Sequence, residues 1–242
     1  MATVIMIASG KGGTGKSTVA TYVATELAQK NCRTLLIELD AGLRSIDVIS
    51  GIDTSAVFDI GDVLQGRCDR YKAMSVSPYT DNLSVIAAPY NSYNTDFSNF
   101  KQVTDSLYDD FDYIIIDTAA GVGNAFYAAC KSAVMGVIVV TPDIISVRDG
   151  RLVSDEMYNN GVNDIRLIIN KFAPDTFRYS GYDDLDAVID GVCAQLLGVI
   201  PMSRQIAVNA ISGSQLTLGS QEKIIFSAIS ERITGKEIQI II

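Results

Sequence analysis

An octet near the start of the chain constrains the fold more than any other feature. Positions 10–17 read Gly-Lys-Gly-Gly-Thr-Gly-Lys-Ser, between an apolar run at 4–8 and a helical pattern at 16–30. The spacing G-x-x-x-x-G-K-[ST] is that of a phosphate-binding loop, which needs a strand before it and a helix after it. The octet therefore predicts a strand–loop–helix unit that binds a nucleoside triphosphate.

The residue types in this loop suit phosphate binding. Gly12, Gly13 and Gly15 lack a Cβ, so backbone N–H groups can approach phosphate oxygens closely. The helix that follows adds its positive dipole end. Lys16 would attract the β- and γ-phosphates by about 4 kcal/mol at about 4 Å and an effective dielectric of about 20. Ser17 would offer its hydroxyl to Mg²⁺. The predicted nucleotide contacts in the loop are Gly10, Lys11, Gly12, Gly13, Thr14, Gly15, Lys16, Ser17 and Thr18.

Length and composition restrict the class of protein. The 242 residues suit one well-cored domain over 1–242, and 48% hydrophobic with 19% charged residues is ordinary for a globular protein. Histidine is absent from the sequence, which excludes Ser-His-Asp hydrolysis, Cys-His proteolysis and His-ligated zinc. The net charge of −9 argues against non-specific nucleic-acid binding, because that affinity comes from Lys and Arg. We therefore expect no nucleic-acid partner.

Cysteine usage and hydropathy indicate a cytoplasmic protein. The four cysteines form no CxxC pair and are interpreted as small buried hydrophobes in a reducing compartment. They are Cys32, Cys68, Cys130 and Cys193. No signal peptide is recognised at the N-terminus. The longest apolar run, 134–140, is far shorter than the roughly 20 residues that span a bilayer. We expect membrane contact only at the surface.

Strand-like runs and helical stretches alternate along the chain. Strands are predicted at 4–8, 34–39, 83–87, 113–117, 136–141, 166–170 and 197–200. Several are apolar on consecutive positions, which is typical of parallel strands buried on both faces. Apolar stripes predict helices at 96–107 and 221–233, and the polar segment 175–186 is interpreted as a surface loop before a helix. The alternation predicts a doubly wound α/β fold, with a mostly parallel sheet flanked by helices.

The phosphate loop carries one lysine more than its function requires. Residues 11–18, Lys-Gly-Gly-Thr-Gly-Lys-Ser-Thr, resemble the deviant Walker A motif of the ParA/MinD family of P-loop ATPases. The resemblance covers nearly the whole chain and implies the SIMIBI type of P-loop NTPase fold, with ATP and Mg²⁺ bound. It implies that Lys16 is the ordinary loop lysine, while Lys11 reaches across an ATP-bound homodimer to the partner subunit's phosphates. Such a cation resembles an arginine finger that dimerisation delivers.

A second match follows the second predicted strand. Residues 37–51 read Ile-Glu-Leu-Asp-Ala-Gly-Leu-Arg-Ser-Ile-Asp-Val-Ile-Ser-Gly and resemble switch I of the MinD branch of the family. By this resemblance Asp40 would hold the attacking water near the Mg²⁺ shell, and an acid at the carboxyl end of a strand suits that role. Glu38 stands where the family usually has aspartate, so an altered contact with the phosphate loop is expected.

A third match resembles the Walker B motif. Residues 111–121, Phe-Asp-Tyr-Ile-Ile-Ile-Asp-Thr-Ala-Ala-Gly, form an apolar run that ends in Asp117, which would hold Mg²⁺ through a water. Gly121 and Gly123 would form switch II. Ala119 replaces the family's usual proline and predicts a looser loop. The predicted metal residues are Ser17, Asp40 and Asp117, and the predicted catalytic residues are Lys11, Lys16 and Asp40.

Two further resemblances are less specific. Residues 146–149, Ser-Val-Arg-Asp, are similar to a segment near the dimer interface of MinD proteins; the alternative is a helix start with a solvated Arg/Asp pair. By family resemblance Asn170 would contact adenine, and the loop at Pro201 and Met202 would cover its other side. No aspartate follows Asn170-Lys171 at the position that guanine recognition needs, which favours ATP over GTP.

The C-terminal segment departs from the family. MinD proteins usually end in a basic amphipathic helix that binds membranes, but here Arg232 and Lys236 are balanced by Glu231 and Glu237. Attraction to anionic lipid, about 1 kcal/mol per basic residue, should then contribute almost nothing. The final isoleucines lean toward strand alternation. An edge strand, a partner-docking segment and a weak apolar anchor remain open, and membrane association by this chain alone is doubtful.

The resemblance implies a MinD-like ATPase, an ATP-dependent dimerising switch that places the cell-division site. Hydrolysis would be slow and stimulated by a partner that resembles MinC or MinE, or by another cargo adaptor. One alternative is a ParA-like ATPase that positions a flagellum, a pilus or a secretion system, and another is a non-hydrolysing ATP-sensing adaptor. Cysteine spacing disfavours an iron–sulfur relative, and the absence of tyrosine after Tyr182 disfavours a bacterial tyrosine kinase.

Overall fold

The predicted strands form one sheet. The computed structural model describes residues 1–42, 44–52, 57–89, 95–217 and 219–241. Within them the strands are β1 (Thr3–Ala8), β2 (Thr34–Glu38), β3 (Met74–Val76), β4 (Leu83–Ile86), β5 (Tyr113–Asp117), β6 (Met135–Val140), β7 (Asp164–Phe172) and β8 (Gln195–Pro201). Their order is β3-β4-β2-β5-β1-β6-β7-β8. All pairs are parallel except β3 with β4, which confirms the predicted fold class.

Helices cover both faces of the sheet. They are α1 (Lys16–Gln29), α2 (Ser45–Ile49), α3 (Ile60–Leu64), α4 (Phe100–Asp105), α5 (Asn124–Ser132), α6 (Ile144–Asn159), α7 (Leu185–Val192), α8 (Arg204–Ser212) and α9 (Gln221–Ile233). Successive side chains of a strand point to opposite faces. Ile5 and Ile7 of β1 therefore join one core cluster with α1 and α9, whereas Met6 joins a second cluster with α5, α6 and α7.

Some elements differ from the sequence-based predictions. The short β3 was not predicted because it lacks an apolar run, and its Val76 is exposed. Helix α4 ends earlier than predicted, although Leu107 beyond it is buried. The apolar stripe that predicts a helix at 221–233 includes Ile224, but in α9 Ile224 is exposed and Phe226 is buried. The helix therefore presents a slightly rotated face to α1 and β8.

The C-terminal segment forms no strand in its described residues. After α9 the chain runs without regular structure to residue 241. Ile240 and Ile241 each pack against a different one of the two core clusters. Apolar contact therefore holds the end of the described chain, without the sheet hydrogen bonds that the strand-like alternation suggested.

The cysteines and the helices bear on two other expectations. Cys130 is buried and Cys32 and Cys68 are half-buried, but Cys193 is exposed at the end of α7, where its φ of 59° is left-handed. The interpretation of all four as buried hydrophobes is therefore wrong for Cys193.

Across the described residues, none of the helices combines the length and apolarity that crossing a bilayer requires.

Candidate nucleotide-binding site

The carboxyl ends of three neighbouring strands assemble a cavity. The register pairs Asp117 at the end of β5 with Ile7 of β1 and with Glu38 of β2. The loop after β1 and Asp40 after β2 therefore meet Asp117 at one edge of the sheet, where α/β folds bind ligands. The cavity there has a volume of about 470 Å³. It is lined by Ser9, Gly12, Gly13, Thr14, Gly15, Lys16, Ser17, Thr18, Asp40, Ser45, Ile49, Ala119 and Ala120.

Close approach and backbone conformation explain two of the loop glycines. Gly15 has φ of 90°, and a Cβ there would lie 2.3 Å from Asn170 Nδ2. A Cβ on Gly10 would lie 2.4 Å from the carbonyl oxygen of Asp149 in α6. Only glycine fits either place without displacing a neighbour. Gly10 thus seats the loop against α6 and lies outside the lining of the cavity.

Two consecutive residues of β7 bind two consecutive carbonyls of the loop. Asn170 Nδ2 donates to the carbonyl oxygen of Thr14 at 2.7 Å, and Lys171 Nζ donates to that of Gly13 at 2.7 Å. A trans peptide directs its C=O and its N–H in opposite senses. The N–H groups of Thr14 and Gly15 therefore point away from β7 and can serve phosphate oxygens.

The irregular backbone of β7 makes this clamp possible. Neighbouring side chains of a regular strand point to opposite faces, so two in succession could not both reach the loop. Lys171 has a left-handed φ of 58°, and the pairing with β8 shifts register between Ile169 and Phe172. The irregularity turns both side chains to the loop. The family resemblance implied only an adenine contact for Asn170 and no role in the site for Lys171.

Lys16 lies in the cavity beside two carboxylates. Its Nζ is 2.7 Å from Asp117 Oδ1 and 3.9 Å from Asp40 Oδ2, and its side chain is 6% exposed. Burial raises the pKa of Asp117, and the charge of Asp40 adds to that rise while Lys16 opposes it. The lysine therefore neutralises a carboxylate that burial would otherwise disfavour.

The oxygens around Lys16 fit a magnesium ion. Asp117 Oδ2 is buried without a hydrogen-bond partner in the described structure, and Ser17 Oγ lies 3.4 Å from Lys16 Nζ. Hydroxyl and carboxylate oxygens are the ligands that Mg²⁺ prefers, usually with waters and substrate phosphates completing its shell. The described residues contain no group of three or more His, Cys, Asp or Glu able to hold a metal without such help.

Lys11 lies at the surface beside α6 and does not line the cavity. Its Nζ is 3.3 Å from Asp143 Oδ1, and the two side chains are 41% and 39% exposed. Asp143 caps α6 by accepting the N–H of Ser146 at 3.0 Å and also accepts the Thr141 hydroxyl. Burial alone would raise the pKa of Asp143, but these two hydrogen bonds and the one from Lys11 outweigh it and lower that pKa.

Glu38 holds the predicted switch I, and its hydrogen bonds in the described part of the chain go to backbone outside the phosphate loop. Its buried carboxylate accepts the N–H groups of Ser45 at 2.8 Å, Ile46 at 3.3 Å and Ala88 at 3.5 Å. Burial, followed by the charge of Asp117, raises the pKa of Glu38 to about 7, although these backbone hydrogen bonds oppose the rise. The longer side chain therefore anchors the start of α2.

A second, larger cavity lies in front of the predicted switch II. Its volume is about 620 Å³, and it shares Asp40, Ala119 and Ala120 with the phosphate cavity. Gly121 and Gly123 both line it, and the Gly121 N–H donates to the Ser9 carbonyl at 2.8 Å. The structure thus places the predicted switch II next to the phosphate loop.

The remaining predicted residues lie further from the phosphate cavity. Arg148 in segment 146–149 is exposed and pairs with Asp149 at 3.0 Å. Its local contacts are therefore those of a helix start with an Arg/Asp pair, the alternative to a segment near a dimer interface. Pro201 ends β8, and Met202 is exposed after it. Neither lines the cavity, so their adenine contacts stay a prediction, as does that of Asn170.

Comparison with known proteins finds relatives over the whole chain. The model of the ParA family, described as NUBPL iron-transfer P-loop NTPase, matches residues 1–235. The septum site-determining protein MinD of Helicobacter pylori is 32% identical, covering 99% of this chain and 93% of that protein. MinD of Synechocystis is 30% identical over 97% and 90%. In the MinC:MinD cell division protein complex of Aquifex aeolicus, a chain with 27% identity superposes with a TM-score of 0.89, covering 98% of both chains.

Proposed function

The chain belongs to the ParA/MinD family of P-loop ATPases, and we propose that it is a MinD-like ATP-dependent switch that helps to place the cell-division site. The observation that carries the proposal is the contrast between two lysines of one loop. Lys16 is buried against Asp117 in the cavity, whereas Lys11 stands at the surface on Asp143. One lysine can serve the subunit's own nucleotide while the other can reach a second subunit.

ATP would bind with its phosphates over the loop. The N–H groups of Thr14 and Gly15 and the Nζ of Lys16 would bind the phosphate oxygens. Ser17 Oγ and Asp117, the latter through a water, would hold Mg²⁺, which neutralises charge on the phosphates. When ATP displaces the contact between Lys16 and Asp117, the lysine gains the phosphates as its partner.

Hydrolysis would use Asp40, which lines both cavities. Asp40 orients a water and receives its proton as the water oxygen bonds to the γ-phosphorus. The bond from that phosphorus to the β–γ bridging oxygen breaks, and ADP keeps the electron pair. We propose that this reaction is slow in the isolated subunit, because the cation that stabilises the transferring phosphoryl group comes from a partner subunit.

The homodimer is proposed to close over two ATP molecules. Lys11 would leave Asp143 and approach the phosphates bound to the partner subunit. An exposed ion pair is worth only about 0.2–1 kcal/mol, so leaving Asp143 costs little. A regulatory partner that resembles MinC, MinE or another cargo adaptor would act on this dimer, in the cytoplasm or through that partner at the inner membrane surface.

Three alternatives stay in view. A family member that positions another cargo would have the same site. An ATP-sensing adaptor would bind ATP without turnover. The description of the family model also names iron transfer, but the four cysteines of this chain form no CxxC pair.

ATP turnover and binding measured together test the catalytic part of the proposal. The wild type should hydrolyse Mg-ATP, and Asp40→Asn should bind ATP comparably and release no phosphate above background. Asp155→Asn, which alters an exposed pair on α6, is the matched control and should retain turnover. Tight ATP binding by the wild type with no turnover, alone or with a candidate partner, would favour the ATP-sensing adaptor.

A further inference from the structure

A basic cavity lies at the opposite end of the sheet from the phosphate loop. It has a volume of about 560 Å³ and is built from the first residues of β7 and β8 and the chain after α9. It is lined by Arg166, Gln195, Leu197, Arg232, Lys236 and Glu237, together with the other residues of 235–239. Since the phosphate loop occupies the carboxyl ends of the strands, this cavity is separate from the nucleotide site.

Arg232 is the under-satisfied group in this cavity. Its Nη1 is buried and has no hydrogen-bond partner in the described structure, and its Nη2 makes one long contact with the Leu196 carbonyl at 3.4 Å. Burial, followed by the positive charge of Arg166, lowers the pKa of Arg232. A buried donor without a partner costs about 1–3 kcal/mol, and more when it is charged. An anion in the cavity beside this guanidinium would offset its charge.

The other charged residues leave room for such an anion. Arg166 is held by Asp164 and by Gln195 Oε1, which fixes its guanidinium at the wall. Lys236 at the rim is 3.9 Å from Glu231, which Lys30 already binds at 3.0 Å. Arg166 and Arg232 line the same cavity, and the charge of Arg166 acts on Arg232.

The carboxylate within the lining does not serve as the missing anion. Glu237 is exposed, and among the described residues it forms no ion pair with Arg166 or Arg232. The cavity thus holds two arginines, one of which lacks an anionic partner.

We propose that this cavity binds a phosphate-type oxyanion between Arg232 and Arg166, with Lys236 at its entrance. A guanidinium donates two parallel hydrogen bonds to a phosphate or carboxylate, and its planar fork suits this better than a lysine does. The phosphate group is either free in solution or the headgroup of an anionic lipid; both sources present the same oxygens. A bound anion would give the segment after α9 a polar contact in addition to its apolar packing.

Binding of inorganic phosphate tests the site directly. The full chain is first saturated with a non-hydrolysable ATP analogue and Mg²⁺, so that the phosphate loop is filled. Calorimetric titration with inorganic phosphate should then show binding to the wild type and at least about ten-fold weaker binding to Arg232→Met, the loss expected for roughly 1.4 kcal/mol. Arg151→Met, which removes an exposed arginine paired with Asp155 on α6, should bind as the wild type does.

Two more variants keep the test decisive if Arg232→Met folds poorly. Arg232→Lys keeps the charge and loses the fork, so it should bind phosphate several-fold more weakly. Lys236→Met, at the exposed rim, should weaken binding by only a few-fold. Equal phosphate affinity in the wild type, Arg232→Lys and Lys236→Met, or no binding to the wild type, would overturn the proposal.

Vesicles distinguish the two sources of the phosphate group. The saturated protein is sedimented with phosphatidylcholine vesicles that contain or lack phosphatidylglycerol. Co-sedimentation that needs phosphatidylglycerol and Arg232, and that inorganic phosphate reduces, assigns the site to a lipid headgroup. Phosphate binding that needs Arg232, without any such co-sedimentation, assigns it to a free anion. Phosphate binding and co-sedimentation that are both indifferent to Arg232 would refute the site.

Discussion

Lys16 and Lys11 lie five positions apart in one loop, yet the fold gives them opposite surroundings. Lys16 is almost fully buried, 2.7 Å from a carboxylate with no exposed surface. Lys11 is roughly half-exposed and reaches Asp143, a residue 132 positions away, at 3.3 Å. The same ammonium group is therefore fixed inside the cavity in one case and weakly held outside it in the other.

The difference teaches that burial, more than residue type, decides what a charge can do here. Removing one partner of a buried ion pair leaves an uncompensated charge and costs about 3–5 kcal/mol. An exposed pair is worth about 0.2–1 kcal/mol. A lysine that must leave its partner to act on another subunit is therefore suited to an exposed ion pair. A lysine that must hold phosphates in its own cavity is suited to a buried one.

The largest effect is expected from Lys16→Met. ATP affinity should fall by roughly three decades, because the attraction of about 4 kcal/mol between ammonium and phosphate is lost. The free energy of unfolding should also fall, by up to about 3–5 kcal/mol, since Asp117 stays buried without its cation. Urea unfolding and ATP titration measure the two effects.

A double variant separates burial from the lysine itself. Adding Asp117→Asn to Lys16→Met removes the stranded charge, so the free energy of unfolding should recover in part while ATP affinity stays low. If the double variant were as unstable as the sum of its single changes, the buried charge would not be the cause of the loss.

Glu38→Ala tests whether a second buried ionisable group also contributes to the free energy of unfolding through its partners, as Lys16 does. The change strips the N–H groups of Ser45, Ile46 and Ala88 of their acceptor, and an unsatisfied buried donor costs about 1–3 kcal/mol. Glu38→Gln keeps one acceptor oxygen and should lose less stability than Glu38→Ala. Equal losses in the two variants, measured by urea unfolding, would contradict this reason, because Glu38→Gln keeps an acceptor that Glu38→Ala removes.

The effect of Lys171→Met on ATP affinity should be smaller than that of Lys16→Met. The exposed ammonium gives up its bond to the Gly13 carbonyl, so the loop is less well ordered before ATP arrives. We expect about three- to ten-fold weaker ATP binding, as for a net loss of about 0.5–1.5 kcal/mol, and little change in unfolding. Lys171→Arg keeps a donor and should recover most of the affinity; the same loss in both variants would reject the clamp.

The smallest effect on stability is expected from Lys11→Ala. Its pair with Asp143 is exposed, so the free energy of unfolding should change by less than about 1 kcal/mol. Urea unfolding of Lys11→Ala and of Lys16→Met, under the same conditions, compares the two losses in the free energy of unfolding. A loss for Lys11→Ala as large as that for Lys16→Met would mean that exposure does not separate the two lysines.

Short-range signals predicted the fold class, and they also indicated residues of the candidate site. The loop octet, consecutive apolar strands and an aspartate at a strand end are local patterns, and the sheet places Asp40 and Asp117 beside Lys16. The pairing of Lys11 with Asp143 was not predictable, because nothing near position 11 specifies a cap on α6. The clamp was missed because it depends on a left-handed residue in β7, which regular alternation does not suggest.

Sedimentation velocity with ATP and with ADP, on the wild type and Lys11→Ala, tests the division between the two lysines most directly. The wild type should sediment as a dimer with ATP and as a monomer with ADP, and Lys11→Ala should stay monomeric with both while it still binds ATP. A wild type that is no larger with ATP than with ADP, or a Lys11→Ala that dimerises as the wild type does, would contradict the account.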